Sequence, residues 1–165
     1  MLFRSIEKYG VNVMFTAPTL LRMLMRYGEE YAQKYDLRSL RFLTCAGEPL
    51  NPEALKWTYE FICGNGEWGH IVDNWWQTET GGPCLGTPAT LPVRPGRVGV
   101  AMPGASLDIV DREGQPITEP DKGGFLVITK PFPHFYRTVF GDPERYAKDW
   151  NTIPGVYLTG DVALR

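Results

Sequence analysis

The sequence predicts an α/β fold with parallel βαβ units in its first half and a β-rich, partly barrel-like second half. Short apolar runs alternate with helical patterns over residues 11–74, an order typical of parallel strands joined by helices. After residue 82 prolines and glycines lie close together, which excludes long helices. We therefore expect residues 1–92 to form the α/β part and residues 93–165 the β-rich part of one domain.

The first βαβ unit begins with a short, β-prone apolar run at residues 11–15, which predicts a buried strand. A helix should start at Pro18 and end near residue 35, and a second strand is expected at residues 40–45. The predicted apolar face of the helix has a period of 3.6 residues. It consists of Leu20, Leu21, Leu24 and Met25.

The second helix has strong start signals at Asn51, Pro52 and Glu53. They supply a capping side chain, a preset φ and a negative charge at the positive end of the helix dipole. Gly64 is expected just after the helix end. A third strand should follow at residues 71–74.

Residues 64–69 read GNGEWG and match the G-x-G-x-x-G dinucleotide fingerprint. The fingerprint needs a strand before it and a helix after it, so that the pyrophosphate meets a helix N-terminus. Here the order is helix, then strand. The glycines are interpreted as a connection, and NAD binding is rejected.

The second half carries several strand patterns separated by turn residues. Asp161 follows Thr-Gly near the end of the chain, and it is either a carboxylate presented at a strand end or an ordinary turn residue. A short helix is expected near residues 143–148. The expected strands cover residues 107–110, 115–117 and 125–129, with a turn at 111–114.

Composition restricts the class of partner. The chain has 165 residues, 43% hydrophobic and 22% charged, with a net charge of −2. Such a balance gives no reason to expect nucleic acid or a membrane as partner. No signal-peptide pattern is found at the start. Three cysteines without C-x-x-C spacing indicate reduced structural thiols and a cytoplasmic protein.

Residues 72–82, VDNWWQTETGG, form the stretch with the most chemical content. Trp75 and Trp76 offer flat apolar surface to a planar ligand, and Glu79 offers a hard oxygen ligand for Mg²⁺. From residue types alone, a strand end with two core tryptophans and a solvated turn is the better interpretation.

Four segments together resemble the adenylate-forming superfamily, which includes acyl-CoA synthetases, luciferases and adenylation domains. They are FTAPT at 15–19, GEPLNPE at 47–53, DNWWQTETGG at 73–82 and YLTGD at 157–161. They occur in the family's order and cover nearly the whole chain. The double tryptophan is similar to that of the branch that activates short acyl groups.

The resemblance implies an acid–thiol ligase that works in two steps. Mg·ATP activates a short carboxylic acid, acetate or propionate, to an acyl-adenylate, and the acyl group then passes to coenzyme A. ATP, Mg²⁺ and coenzyme A are the implied cofactors and co-substrates, and the implied partners are small molecules.

By similarity, two segments form the walls of the adenine slot, and Asp73 hydrogen-bonds the adenine edge. The implied walls are Gly47, Glu48 and Pro49 on one side, and Asp73, Asn74 and Trp75 on the other.

The remaining implied roles concern the acid, the metal and the ribose. Trp76 closes the acyl pocket, and Gln77 and Thr78 line the acyl-phosphate region. Glu79 coordinates Mg²⁺, which makes Thr78 and Glu79 the candidate catalytic residues. Asp161 accepts both ribose hydroxyls, a bidentate contact that suits a carboxylate.

Two parts of the family pattern have no counterpart in these 165 residues. One is the Gly/Ser/Thr-rich phosphate loop, and the other is the small mobile C-terminal domain with its adenylation lysine. We therefore expect an internal fragment whose isolated form is inactive and self-associates through uncovered apolar faces.

Two functions of other classes stay open. The first is a non-catalytic nucleotide-binding or interaction module that keeps the motifs as scaffold. The second, a sugar-binding module with exposed tryptophans, is disfavoured because Trp75 and Trp76 adjoin a carboxylate and a parallel-strand pattern.

Overall fold

The computed structural model describes residues 1–165 and divides into two compact units. Met1–Trp76 and Pro83–Val100 form the first unit, and Gln77–Gly82 and Ala101–Arg165 form the second. The predicted α/β class, with parallel strands in the first half and a β-rich second half, is confirmed. The predicted division of one domain into two parts stays a prediction.

A five-stranded sheet of order β1-β2-β3-β4-β5 organises the first half of the chain. β1, β2 and β3 are parallel, and β4 runs antiparallel to β3. In chain order the elements are α1 (Leu2–Tyr9), β1 (Val13–Thr16), α2 (Pro18–Tyr27), α3 (Glu30–Gln33), β2 (Phe42–Cys45), α4 (Pro52–Phe61), β3 (His70–Trp75), β4 (Leu85–Gly86) and β5 (Val100–Ala101).

The register of the parallel strands aligns their carboxyl ends. Thr16 pairs with Cys45, and Cys45 pairs with Asp73. The loops that follow β1, β2 and β3 therefore leave the sheet along one edge. This is the edge at which open parallel sheets bind ligands.

The core of the first unit lies between the parallel strands and the helices. Leu43 of β2 and Ile71 of β3 are fully buried, as is Leu21 of α2. Burial of a leucine or isoleucine side chain stabilises a fold by about 1.5–3 kcal/mol. The strands thus fix the helices through apolar contact, and the polar loops remain at the sheet edge.

Two helix predictions need correction, and one helix was not predicted. The helix that starts at Pro18 ends at Tyr27 rather than near residue 35, because the chain turns at Gly28 and resumes as the short α3. Asn51 precedes α4 as predicted, but its side chain does not cap the helix. It donates instead to Glu53 at 2.8 Å. The first helix, α1, was not predicted.

The GNGEWG segment is a helix-to-strand connection, as predicted. Its first three residues form a 3₁₀ turn between α4 and β3. Gly64 has φ of +60°, and a Cβ there would lie 2.1 Å from the Trp68 ring. Packing and backbone conformation therefore account for this glycine.

The second unit contains a three-stranded antiparallel sheet of order β6-β7-β8. Its small core includes Val110, Val127 and Ile153. The predicted strand at residues 115–117 is reduced to an isolated bridge of Val110 with Pro116. The sheet does not close into a barrel. The elements are β6 (Ser106–Val110), β7 (Gly123–Lys130), α5 (Glu144–Asp149) and β8 (Tyr157–Leu164).

β8 contains an irregularity at its centre. Phe125 pairs with Val162, but Val127 pairs with Leu158, so residues 159–161 stand opposite the single residue Leu126. Gly160 adopts φ of +83° within this bulge, a conformation that costs other residues about 1–2 kcal/mol. Asp161 thus lies at a bulge inside a strand, neither in a turn nor at a strand end.

No helix of the protein combines the length and the apolar character that a membrane crossing requires.

Candidate functional site

The candidate residues of the first unit lie where β2 and β3 end. Gly47, Glu48 and Pro49 follow β2, and Asp73 lies near the end of β3. The Cys45–Asp73 register brings these two segments side by side. The sheet topology therefore places both predicted adenine walls at the carboxyl edge.

Asp73 connects the two segments directly. Its Oδ2 atom accepts a hydrogen bond from the Leu50 amide at 3.0 Å. The side chain is half-buried, and burial raises its pKa above the usual range although the amides of Leu50 and Asn74 oppose the shift. The carboxylate already holds the loop after β2, so a ligand at this edge would meet a fixed acceptor.

The next three residues differ in exposure. Asn74 is only 8% exposed, and its amide donates to the Thr44 hydroxyl on β2. The Asn74 Oδ1 atom is buried without a hydrogen-bond partner. Trp75 is half-buried, and Trp76 is 38% exposed. Asn74 therefore faces the protein interior, whereas Trp76 presents apolar surface.

Glu48 is bound to α2. Its Oε1 atom accepts from the Thr19 amide at 2.9 Å and from the Thr19 hydroxyl, and Oε2 accepts from Arg22 at 2.5 Å. The Thr19 hydroxyl, then Arg22, lower the pKa of Glu48 to about 2. Gly47 and Pro49 on either side are exposed. Their backbone forms the open part of the loop.

In the second unit, Gln77 joins two sequence motifs that are far apart in the chain. Its amide nitrogen donates to the Thr159 carbonyl at 2.8 Å and to Asp161 Oδ2 at 3.2 Å. The bulge in β8 places both acceptors on one side of Gln77. The Gln77 Oε1 atom is buried, and the side chain forms a capping box with Thr80.

A 3₁₀ turn at Thr78–Thr80 presents the two candidate catalytic residues. The buried Thr80 hydroxyl accepts from the backbone amide of Gln77 at 3.0 Å and donates to the backbone carbonyl of Gln77 at 2.8 Å. The Tyr136 amide donates to the Glu79 carbonyl at 2.8 Å. Thr78 is exposed and Glu79 half-buried. The turn is thus fixed from both sides.

Gln77 and Glu79 line a cavity of about 330 Å³ in the second unit. Two charged residues from α5, Arg145 and Asp149, line it as well, with a distance of 3.6 Å between Arg145 Nε and Asp149 Oδ2. Burial, then the charges of Glu79 and Asp149, raise the pKa of Tyr157 to about 12, and Arg145 opposes the shift. The charged side chains of the cavity lining are thus two carboxylates, Glu79 and Asp149, and one guanidinium.

Sequence reasoning missed several residues that shape this cavity. Nothing in the local pattern of α5 indicates that Arg145 and Asp149 line the same cavity as Glu79, because this proximity depends on tertiary structure. Tyr157 and Thr80 belong to quoted motifs but received no role. The polar Thr-Glu-Thr sequence that ends with Thr80 is the one local signal from which a side-chain hydrogen bond that stabilises this turn could be inferred.

The histidines, cysteines and acids do not form a metal cluster. No group of three or more such side chains converges. All three cysteines are buried, and burial raises the pKa of Cys45 and Cys63 to about 12. Such thiols are unreactive, in agreement with the structural role predicted for them.

The fold is an open α/β sheet with polar loops at the carboxyl ends of its parallel strands, which is where proteins of this class bind their ligands. Comparison with known families makes this specific. The family model described as AMP-binding enzyme matches residues 1–134. The chain belongs to this family of AMP-binding enzymes.

Three relatives that match nearly the whole chain share the name acetyl-coenzyme A synthetase. The acetyl-coenzyme A synthetase of Deinococcus radiodurans is 47% identical over 162 residues, which are 97% of this chain and 24% of that protein. That of Pyrobaculum aerophilum is 44% identical, with the same shares covered. That of Laribacter hongkongensis is 45% identical over 99% of this chain and 25% of its own length. The chain thus spans about a quarter of the curated relatives it matches.

Substitution of Glu79 tests its proximity to Tyr157. Glu79→Gln removes a charge that disfavours the phenolate, so the pKa of Tyr157 should fall from about 12 towards its ordinary value of 10. The measurement is a spectrophotometric alkaline titration. The chain has eight tyrosines, so the Tyr157 signal is the difference between each protein and its Tyr157→Phe counterpart.

The matched control is Glu119→Gln, an exposed glutamate paired with Lys122 that should leave the titration unchanged. An unshifted Tyr157 in the Glu79→Gln protein would contradict the proximity of the two side chains.

Proposed function

We propose that this segment serves the ATP-dependent activation of a short carboxylic acid, acetate or propionate, and its transfer to coenzyme A. The observation that carries the proposal is that the side-chain amide of Gln77 donates to the Thr159 carbonyl and to Asp161. It brings the DNWWQTETGG and YLTGD motifs together, and an adenylate-forming enzyme needs both. Membership of the AMP-binding enzymes and relatives named acetyl-coenzyme A synthetase support it.

Adenine is proposed to bind at the carboxyl edge of the parallel strands. The walls are the backbone of Gly47, Glu48 and Pro49 and the segment from Asp73 to Trp75. Trp75 is half-buried, and a partly exposed indole offers a flat apolar surface to a purine. The fixed carboxylate of Asp73 supplies a hydrogen-bond acceptor for the amino group of adenine.

Ribose is proposed to bind at Asp161. A carboxylate accepts two hydroxyl donors, whereas an amide oxygen competes with its own NH₂ group. The Gln77 side-chain amide donates to Asp161 Oδ2 at 3.2 Å and so holds the carboxylate in place for that contact.

The residues fit a magnesium ion held mainly by its substrate. Glu79 lines the cavity, and its carboxylate offers the hard oxygen donors that Mg²⁺ prefers. No group of three or more acidic, histidine or cysteine side chains converges, which suits a cation that takes its other ligands from phosphate oxygens and water. Bound there, Mg²⁺ would neutralise phosphate charge.

The proposed chemistry requires no nucleophile from the protein. The acid's carboxylate oxygen attacks the α-phosphorus of ATP, and pyrophosphate leaves. The coenzyme A thiolate then attacks the acyl carbon, and AMP leaves. Both steps depend on positioning and charge stabilisation. The protein's share is to hold the nucleotide, to orient the acid at Trp76 and to exclude water.

Thr78 is proposed to contact the reacting phosphate. It is exposed on the 3₁₀ turn that Thr80 fixes, so its hydroxyl is open to a ligand. Small molecules as the only partners, a cytoplasmic location and self-association of the isolated segment stay predictions.

The test is ATP–pyrophosphate exchange dependent on acetate, in a full-length protein that carries this segment. Glu79→Gln should slow exchange on the order of a hundredfold, because it removes a preorganised charge at the metal. Glu119→Gln serves as control. Wild-type protein that binds ATP but shows no exchange would favour the alternative, a non-catalytic nucleotide-binding module.

Substitution of Trp76 tests the acyl pocket. Trp76→Gly should shift preference towards longer acids, since each buried methylene contributes about 0.8 kcal/mol. Two or three methylenes correspond to roughly a tenfold or greater gain in relative kcat/KM. Phe140→Gly, at a fully exposed aromatic residue, is the control. An unchanged margin of acetate over butyrate and pentanoate would exclude Trp76 as the pocket wall.

By itself the 165-residue chain is proposed not to make acyl-CoA. The resemblance assigns in-line positioning of the phosphates to a phosphate loop and a lysine that have no counterpart among these residues. We expect weak nucleotide binding, of millimolar affinity or about −4 kcal/mol. A coupled thioester assay with ATP, Mg²⁺, acetate and coenzyme A checks this. Turnover that Asp161→Ala abolishes would refute the proposal.

A further inference from the structure

The carboxylate of Glu48 occupies the start of α2. Thr19 is the second residue of that helix, and the first amides of a helix have no partner within it. No side chain at the N-cap position, Ala17, supplies one. Glu48, which is 29 residues further along the chain, accepts from the Thr19 amide at 2.9 Å. The loop after β2 therefore caps a helix that follows β1.

Arg22 completes this arrangement. It donates to Glu48 Oε2 at 2.5 Å and to the Thr19 hydroxyl at 2.7 Å. Both carboxylate oxygens of Glu48 are thus bound within the protein, by charge-assisted hydrogen bonds that are stronger than neutral ones. The side chains of Glu48 and Arg22 are 34% and 35% exposed. We call Thr19, Arg22 and Glu48 the loop clamp.

The same loop is held a second time from β3. The Leu50 amide donates to Asp73 at 3.0 Å, two residues after Glu48. The intervening Pro49 and the preceding Gly47 are exposed. Residues 46–50 are therefore fixed at two points, and the backbone around them is open to a ligand.

We propose that the side chain of Glu48 has a positioning role and sets affinity for adenine nucleotides through the loop clamp, without itself contacting the nucleotide. The proposal rests on the adenine site proposed above. A loop fixed in advance loses less conformational freedom when a ligand binds than a loop that must first be ordered. Removal of the clamp should weaken binding even where the substituted residue lies on α2.

Arg22 separates this role from direct contact, because no sequence motif assigns Arg22 to the nucleotide. In the clamp, Arg22→Leu and Glu48→Ala should each weaken AMP binding about tenfold or less, and the double variant should be no weaker than the stronger single effect. Glu48→Gln keeps an oxygen for Thr19 and should recover part of the affinity. Arg38→Leu, which breaks an exposed ion pair with Asp36 of the same 2.5 Å length, is the matched control.

The experiment is a titration of the 165-residue chain with AMP, followed by amide chemical shifts, which measure millimolar dissociation constants. Hydrogen exchange of the Thr19 and Leu50 amides without nucleotide provides a second readout. Both amides should exchange faster in Glu48→Ala and Arg22→Leu than in wild type and Arg38→Leu.

The outcomes separate the two proposals. Wild-type chain that binds AMP, with the same affinity in Arg22→Leu, overturns the clamp and leaves the adenine site standing. Weakening by Glu48→Ala alone, without faster exchange, indicates direct contact and also overturns the clamp. Wild-type chain that does not bind AMP overturns the adenine site and, with it, any role of the clamp in affinity.

Discussion

Thr16, Cys45 and Asp73 stand in register at the ends of three parallel strands, and the first-unit site depends on this alignment. A shift by one residue would turn each side chain to the opposite face of the sheet. Leu43 and Ile71 are fully buried, so such a shift would expose them to solvent. The apolar core thus determines where the polar loops emerge. Ligand-binding geometry is here a consequence of core packing.

A local irregularity has the corresponding role in the second unit. A regular β8 would alternate its side chains between the two faces, but the bulge at residues 159–161 interrupts the alternation. The Thr159 hydroxyl donates to the Leu126 carbonyl at 2.7 Å and accepts from the Asp161 amide at 3.1 Å. These bonds stabilise the bulge from within, and Gln77 binds its outer side. A glycine at 160 permits the backbone conformation.

Much of the fold could be predicted from the sequence, because strong local signals agree with the tertiary structure. The apolar run at residues 11–15, which contains most of β1, and the start of α4 at Pro52 are of this kind. The prediction that this first strand is buried was wrong, because Val13 and Phe15 are exposed on one face of β1. The failures have physical reasons. Gly28 ends α2 before the apolar pattern does. Asn51 has the right type for a cap, yet its amide donates to Glu53.

The candidate site, too, could be predicted only in part. Motif residues such as Gln77 and Glu79 could be chosen from the sequence because their order and spacing resemble a known family. Their environment could not be predicted from the sequence. The approach of Asp149 to Tyr136, at 2.8 Å, and the capping of α2 by Glu48 join residues whose contact depends on the fold. Such contacts have no local signature.

The charge around Tyr157 carries a last consequence for the proposed nucleotide. Burial raises the pKa of Tyr157 most, Glu79, Asp149 and Asp161 raise it further, and Arg145 lowers it. Carboxylates therefore outnumber cations near this phenol. A polyphosphate brought here without a counterion would be repelled, and the repulsion is greater where water is partly excluded. Nucleotide and divalent cation should therefore bind with positive linkage, each raising the affinity of the other by the same factor. Arg145 is the one cationic group that affects this phenol, so the proposed nucleotide site would depend on the cation for charge balance.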